Sequence, residues 1–205
     1  MAKFDIVPGL TFVSRSSWNP GPQPRLGATV PRHVRDRVFI HHTDTEDTDT
    51  SPNIWDTEAK IFGKMRFLQT CRPDLGLDVP YNFVAFMTTL NDGLYICEGR
   101  GEDRDGAHTK GYNTKALAVS FAGDFEAQST PNAEIAKRMP LLSKFLGWLR
   151  HAPSHPSYGN YPAMENLETV KPSGRAVWYH KDVKATDCPG ARLIAHLDTV
   201  TFQWP

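Results

Sequence analysis

Three side chains of this sequence are of types that bind a transition metal. His180 and Cys188 bracket a loop of sequence HKDVKATDCPG, and imidazole and thiolate are both good zinc ligands. His41 ends an apolar run, at the place where strands of α/β sheets present their functional groups. Three protein ligands would leave a fourth position on the ion for water, which is the catalytic arrangement rather than the closed structural one.

A sheet must position these residues, and the sequence predicts one. Residues 37–42 form a short, nearly continuous apolar run, typical of a strand covered on both faces. Residues 82–90 and 94–97 flank Asn91-Asp92-Gly93, a strong hairpin signal, so we expect them to be antiparallel neighbours. Further strands are predicted over residues 116–122 and 176–180, and helices over residues 51–70, 130–150 and 190–199.

These elements predict an α/β fold. We expect a single domain over residues 1–205, with a central mixed sheet of about five to six strands, flanking helices and a zinc site at the carboxyl edge of the sheet. Residues 1–35 are predicted to be an N-terminal arm and residues 151–174 a loop insertion on the surface, because both contain stretches rich in Pro and Gly. Pro140 should bend the second helix or mark its true start.

The composition excludes several classes of function. The 205 residues include 23 Lys and Arg against 23 Asp and Glu, so no basic excess favours nucleic acid as a partner. Three widely spaced cysteines do not indicate a disulfide framework and fit a reducing site of synthesis. Neither a signal peptide nor a run of the ~20 apolar residues that span a membrane is visible, so we expect the protein to be made in the cytoplasm. We also expect it to be a monomer.

Ordered blocks along nearly the whole chain resemble one known family. The blocks are RSSW (15–18), VFIHHT (38–43), VPYNF (79–83), YICEGRG (95–101), GAHTKGYN (106–113), VSFAGDF (119–125), HKDV (180–183) and TDCPG (186–190). In these blocks the sequence is similar to the type 2 N-acetylmuramoyl-L-alanine amidases, which include phage endolysins and peptidoglycan recognition proteins.

The resemblance implies a site and a reaction. It implies Zn2+ held by His41, His180 and Cys188, with Tyr81 and Thr186 as catalytic groups. Zinc lowers the pKa of the water it binds to about 7 and polarises carbonyl groups, so we expect hydrolysis of the amide between the lactyl group of N-acetylmuramic acid and L-alanine in bacterial peptidoglycan. Tyr81 is expected to donate a hydrogen bond to the oxyanion, and Thr186 to position water or substrate.

The resemblance also suggests a setting. Many phage members have lysine where this chain has Thr186, whereas the recognition proteins usually have threonine. Residues 43–70 lack the cysteine pair that animal recognition proteins carry. Together with the missing secretory signal, this favours a phage or bacterial origin, and we expect an endolysin that passes from the host cytoplasm to the periplasm and wall.

Other polar residues have competing interpretations. Strand alternation sends His41 and His42 to opposite faces, so we expect His42 to be a hydrogen-bonded packing residue. A fourth ligand would close the site, so His108 is expected to contact substrate, together with Asn113 and Arg100.

Packing in the core is expected for Cys71, Cys97, Trp18 and Trp148. The acids between residues 44 and 49 lack the spacing of a calcium loop, and we expect them, with His151, His155 and His196, at the surface.

Two other classes of function compete with the amidase. A recognition module of this fold would bind muropeptide without cutting it, but such modules generally lack the zinc-binding cysteine, which is present here as Cys188. A structural zinc domain would need a fourth protein ligand.

Overall fold

The predicted α/β fold is confirmed by the computed structural model, which describes residues 3–19, 21, 25–45, 51–127, 130–151 and 164–204. Within these residues a mixed sheet has seven strands in the order β1-β2-β5-β4-β6-β3-β7, rather than five to six. Strands β1–β2 and β5–β4 pair antiparallel, and the other neighbours pair parallel. The strands are β1 Lys3–Val7, β2 Leu10–Val13, β3 Arg37–His42, β4 Phe83–Met87, β5 Leu94–Glu98, β6 Ala116–Phe121 and β7 Trp178–Tyr179.

Both faces of the sheet are covered, as the continuous apolar strands predicted. Helices α3 (Asn132–His151) and α4 (Ala191–Leu197) cover one face and form the larger core with β2, β4, β5 and β6. Helix α2 (Glu58–Leu68) covers the other face together with the one-turn helix α1 (Arg15–Trp18). Strand β6 is buried along its whole length and β3 from its second residue onward, which fixes the positions of the loops at their carboxyl ends.

The helices differ from the predicted ranges in detail. The segment predicted as one helix over residues 51–70 is a 3-10 turn, Pro52–Trp55, followed by α2, whose first turn is capped by the Thr57 hydroxyl. Helix α3 runs through Pro140 from Asn132, so the alternative that Pro140 marks its start is wrong. No helix in the described ranges is both long and apolar enough to cross a bilayer.

The predicted N-terminal arm is wrong for its first residues. Strands β1 and β2 form an antiparallel hairpin, and β2 is wholly buried because β5 pairs with its other edge. Residues 152–163 of the predicted surface insertion lie outside the described residues; in its remaining part Met164 and Leu167 are buried in the larger core. Trp18 and Trp148 are core residues, as predicted.

A fully buried arginine ties together the loops beneath the site. The Arg35 guanidinium is 0% exposed and donates to the backbone carbonyls of Glu102, Arg104, Asn113, Thr114 and Ala116. Burial lowers the pKa of Arg35 to about 10, so the group stays cationic at neutral pH. These bonds hold residues 102–104 against the turn that precedes β6.

Replacing Arg35 should therefore cost much of the stability. The Arg35→Met variant leaves five backbone carbonyls, most of them part-buried, without their donor, and we expect the free energy of unfolding to fall by roughly 3–5 kcal/mol. Urea denaturation measures this. Arg72→Met, which removes an exposed arginine paired with Asp74, should change stability by less than about 0.5 kcal/mol. Equal stability of the two variants would contradict this role of Arg35.

Candidate metal centre and its cavity

The three predicted metal ligands meet at the carboxyl edge of the sheet. Strand register brings the histidines together: Ile40 of β3 pairs with Tyr179 of β7 in parallel, so the next residues, His41 and His180, lie side by side. Their ring centroids are 4.6 Å apart. The Cys188 Sγ lies 3.5 Å from the His41 Nδ1. One ligand atom from each of the three residues lies within 4.8 Å of the others.

Local hydrogen bonds close the loop that carries Cys188. The Lys181 N–H donates to the Cys188 carbonyl at 3.0 Å, which returns the chain to the start of the loop. Gly190 then has φ +93°, and a Cβ there would lie 2.4 Å from the carbonyl carbon of Phe125. Only glycine allows this approach of the loop to the segment after β6.

The donor set suits zinc. Zinc–sulfur and zinc–nitrogen bonds of about 2.3 Å and 2.0–2.1 Å at a tetrahedral angle separate the two ligand atoms by about 3.5 Å, and the Cys188–His41 distance is 3.5 Å. Within the described part of the chain the group has three members. All three line one cavity, so an ion held by them would face it.

Burial sets the ionisation of the three ligands. It lowers the pKa of His41 well below its usual range, with His108 and His180 acting in the same direction, and it also lowers the pKa of His180. Both imidazoles are therefore neutral at pH 7, which is the form that binds metal. Burial raises the pKa of the Cys188 thiol to about 12, so an incoming metal ion must displace its proton.

The cavity beside this group has a volume of about 600 Å³. Two predicted catalytic residues, Tyr81 and Thr186, line it. The Tyr81 hydroxyl donates to the His42 carbonyl in a long bond of 3.4 Å, and the ring lies 5.4 Å from that of His41. Burial raises the pKa of Tyr81, so its hydroxyl keeps its proton. Thr186 is exposed, and its hydroxyl accepts from the Cys188 N–H at 3.2 Å.

The three residues predicted to contact substrate have different positions. His108 lines the cavity. Arg100 and Asn113 are not among the described residues that line it. The Arg100 guanidinium is buried and donates to the carbonyls of Leu75, Val79 and Asp105. The Asn113 side chain accepts from two N–H groups of its own turn. The structure therefore gives both residues a role in holding the loops.

Other expectations have mixed outcomes. His42 is a buried packing residue whose Nδ1 accepts from the Phe125 N–H at 3.1 Å, as predicted. Cys97 is buried in the core, but Cys71 is only half-buried and lines the cavity. Residues 46–50 lie outside the described residues, so the prediction for most of the acidic loop is not tested there. Thr109, which received no role from the sequence, is 0% exposed and contacts the rings of His41 and His108.

The buried His108 predicts acid sensitivity. Burial lowers its pKa from 6.5 to about 3 in the folded protein. Below pH 6.5 the unfolded chain binds a proton that the folded protein does not, so stability falls as the pH falls from 6.5 towards 3. Between pH 7 and 5 the protonation of His108 in the unfolded chain lowers the free energy of unfolding by roughly 1–2 kcal/mol. The His108→Gln variant should lack this part of the loss.

Urea denaturation of the zinc-free proteins at the two pH values tests this difference. His33→Gln, which removes an exposed histidine, controls for the replacement itself. An equal loss of stability in wild type and His108→Gln would contradict the prediction.

Comparison with known proteins identifies relatives along nearly the whole chain. No family model matches. Peptidoglycan-recognition protein SC2 of Drosophila melanogaster is 28% identical over 189 residues, which cover 91% of this chain and 84% of that protein. N-acetylmuramoyl-L-alanine amidase of Mus musculus is 27% identical over 198 residues, which cover 93% of this chain and 30% of that protein.

Solved structures show the same fold. Wild-type PGRP-LB of Drosophila superposes with a TM-score of 0.62 at 23% identity, covering 94% of this chain and 95% of that one. A mutant of the same protein in complex with tracheal cytotoxin has a TM-score of 0.58 at 23% identity, covering 92% and 93%.

The fold and the site define an α/β domain with a candidate metal group at the carboxyl edge of its sheet. Within that class, the chain has the peptidoglycan recognition protein fold and is a homologue of peptidoglycan recognition proteins and of an N-acetylmuramoyl-L-alanine amidase. The resemblance seen in the sequence is thereby confirmed.

Proposed function

We propose that this protein is a zinc-dependent N-acetylmuramoyl-L-alanine amidase that cleaves the lactyl–alanine amide of bacterial peptidoglycan. The observation that carries the proposal is the group of His41, His180 and Cys188, which suits zinc and opens into a cavity of about 600 Å³. The homology to a mouse amidase and to recognition proteins supports the substrate class.

The chemistry follows from the donor set. His41, His180 and Cys188 would hold the zinc ion, which supplies Lewis-acid activation of water and of the amide carbonyl when bound. Two neutral imidazoles and one thiolate leave the site with a net charge of +1, which favours the build-up of negative charge on the substrate oxygen. The cavity wall keeps this region partly shielded from solvent, where such electrostatic effects are larger.

Tyr81 and Thr186 act on the substrate. The Tyr81 hydroxyl keeps its proton and makes a long 3.4 Å bond to the His42 carbonyl, so it can turn to donate to the oxygen of the scissile amide as charge develops there. Thr186 lies at the exposed rim, where its hydroxyl can position water or the leaving alanine while it accepts from the Cys188 N–H.

The alternative is a recognition module that binds muropeptide without cleaving it. It is supported by the relatives, most of which are called recognition proteins. The intact metal group favours the amidase, because binding alone has no need for an ion that faces the cavity. The proposal of a phage endolysin remains a prediction; the relatives named above come from an insect and a mouse.

Digestion of purified peptidoglycan tests the proposal. The zinc-loaded protein should release new alanine amino termini without new reducing sugar ends, and a chelator should stop the release until zinc is restored. Release of sugar ends would indicate a glycosidase. Binding of the wall with no release of either would establish the recognition module.

A further inference from the structure

A buried hydroxyl connects the candidate metal group to the cavity wall. The Thr109 Oγ1 lies 3.3 Å from the His41 Nε2 and 3.0 Å from the His108 Nδ1. Thr109 is 0% exposed, so water does not compete for these bonds. The Asn113 side chain accepts from the backbone N–H groups of both His108 and Thr109, at 3.1 and 2.9 Å, and so fixes the hydroxyl between the two rings.

The directions of these hydrogen bonds follow from the metal group. The His41 Nδ1 faces the Cys188 Sγ at 3.5 Å, so this nitrogen is the one that can give its lone pair to the ion. A neutral imidazole carries one hydrogen, which must then be on the His41 Nε2 and is donated to the Thr109 oxygen. The hydroxyl has a single hydrogen of its own, and among the described contacts of this buried group the His108 Nδ1, at 3.0 Å, is the acceptor within reach.

This chain of bonds determines the tautomer of His108. Since its Nδ1 accepts, a neutral His108 carries its hydrogen on Nε2. Burial lowers the pKa of His108 to about 3, so the ring is neutral at pH 7. The Nε2 atom is buried and has no hydrogen-bond partner among the described residues, although His108 is 8% exposed and lines the cavity. A buried donor without a partner is costly unless a ligand satisfies it.

The local sequence makes room for this ring. A Cβ on Gly106 would lie 2.2 Å from the His108 Cδ2 and 2.7 Å from its Nε2. A side chain there would therefore displace the edge of the ring that carries the free nitrogen.

We propose that Thr109 is a positioning residue that sets the tautomer of His108, so that His108 presents an Nε2–H group to a carbonyl oxygen of the muropeptide. This inference rests on the proposed function for the identity of the ligand. It makes metal binding and substrate binding interdependent: an ion on the His41 Nδ1 selects the donor form of His108. The Thr109 hydroxyl in turn holds the His41 ring in the orientation that binds the ion.

Nitrogen NMR of the zinc-loaded protein tests the tautomer directly. The 15N shifts and long-range couplings of His108, assigned with the His108→Gln variant, should show the hydrogen on Nε2 in wild type. The Thr109→Val variant removes both bonds with little change of volume, and there the Nδ1–H form should appear. Thr109→Ser keeps the hydroxyl and should restore the wild-type tautomer.

Binding measurements add a second readout. In Thr109→Val we expect the zinc dissociation constant to rise roughly 10-fold or more. Muropeptide affinity should fall about 5- to 10-fold, as expected for one weakened hydrogen bond of about 1 kcal/mol. Thr109→Ser should stay within about 2-fold of wild type for both.

The outcomes separate this inference from the proposed function. If the hydrogen is found on the His108 Nδ1 in the zinc-loaded wild-type protein, the inference is overturned even if amide cleavage is observed. This measurement uses the wild type alone and does not depend on the folding of any variant. An unchanged tautomer in folded Thr109→Val would also overturn it. The Nε2–H form in a protein that binds zinc and muropeptide but cleaves nothing would support the inference and refute the amidase.

Discussion

Replacement of Cys188 by serine is expected to abolish stoichiometric zinc binding and to lower the rate of amide cleavage by roughly a thousandfold or more. This loss corresponds to a rise of about 4 kcal/mol in the activation free energy. The thiolate is the one anionic ligand of the group, and it lies 3.5 Å from the His41 Nδ1. A serine hydroxyl is a weak, neutral zinc ligand, so two imidazoles alone must hold the ion. Metal analysis and release of alanine amino termini measure the two losses.

Cys71→Ser is the matched control for this variant. Cys71 lines the same cavity but lies outside the metal group, so the zinc content of the Cys71→Ser protein should match that of wild type. Muropeptide binding by Cys188→Ser should persist within an order of magnitude, because the substitution replaces one atom of the cavity lining and loss of the ion weakens one hydrogen bond, that of His108. A Cys188→Ser protein that holds one zinc ion and cleaves at the wild-type rate would show that the ligand set is wrong.

The sequence predicted the buried part of the fold best. Strands β3 and β6 are continuous apolar runs, and Asn91-Asp92-Gly93 marks the turn between β4 and β5, so local patterns were sufficient there. The N-terminal hairpin was missed because its strands are short. Strand β2 is stabilised by pairing with β5, more than 80 residues later in the chain, and no local pattern encodes that register.

Residue chemistry predicted the metal group, but not the direction of every polar side chain. Imidazole and thiolate have few competing uses at the end of a buried strand, and the register of Ile40 with Tyr179 brings His41 and His180 together. Arg100, in contrast, carries five donors that serve backbone carbonyls as well as they would serve a substrate. Its position is decided by which carbonyls the folded loops leave unpaired, which depends on tertiary structure.

Thr109 illustrates the same limit. A threonine in a polar turn usually faces solvent, and the sequence offered no reason to treat it otherwise. Its importance arises because the turn before β6 folds back over β3, so that one hydroxyl lies between His41 and His108. Arg35, which holds the Asn113 and Thr114 carbonyls, stabilises that turn from below. The positioning of the site therefore depends on contacts far apart in the sequence.

The Tyr81→Phe variant should keep its zinc and lose most of its turnover. We expect kcat to fall by roughly 10²–10³-fold, as for other single donors to a developing oxyanion, with KM changed by less than about 3-fold. The reason is that the bond from the Tyr81 hydroxyl to the His42 carbonyl is long, 3.4 Å, so donation to the amide oxygen is expected to be strongest in the transition state. Steady-state kinetics on a soluble muropeptide and metal analysis of the same sample measure both quantities.

Tyr95→Phe is the control for the loss of a phenolic hydroxyl. Tyr95 lies on β5 with its hydroxyl 3.3 Å from a Glu58 carboxylate oxygen, and it is not among the described residues that line the cavity. Its kcat should remain within about 2-fold of wild type, because a hydroxyl contact outside the cavity contributes to stability rather than to charge stabilisation at the amide. Full turnover by zinc-bound Tyr81→Phe would exclude Tyr81 as the oxyanion donor. The His108 Nε2–H group, which lines the same cavity and has no hydrogen-bond partner among the described residues, would then be a candidate for that role.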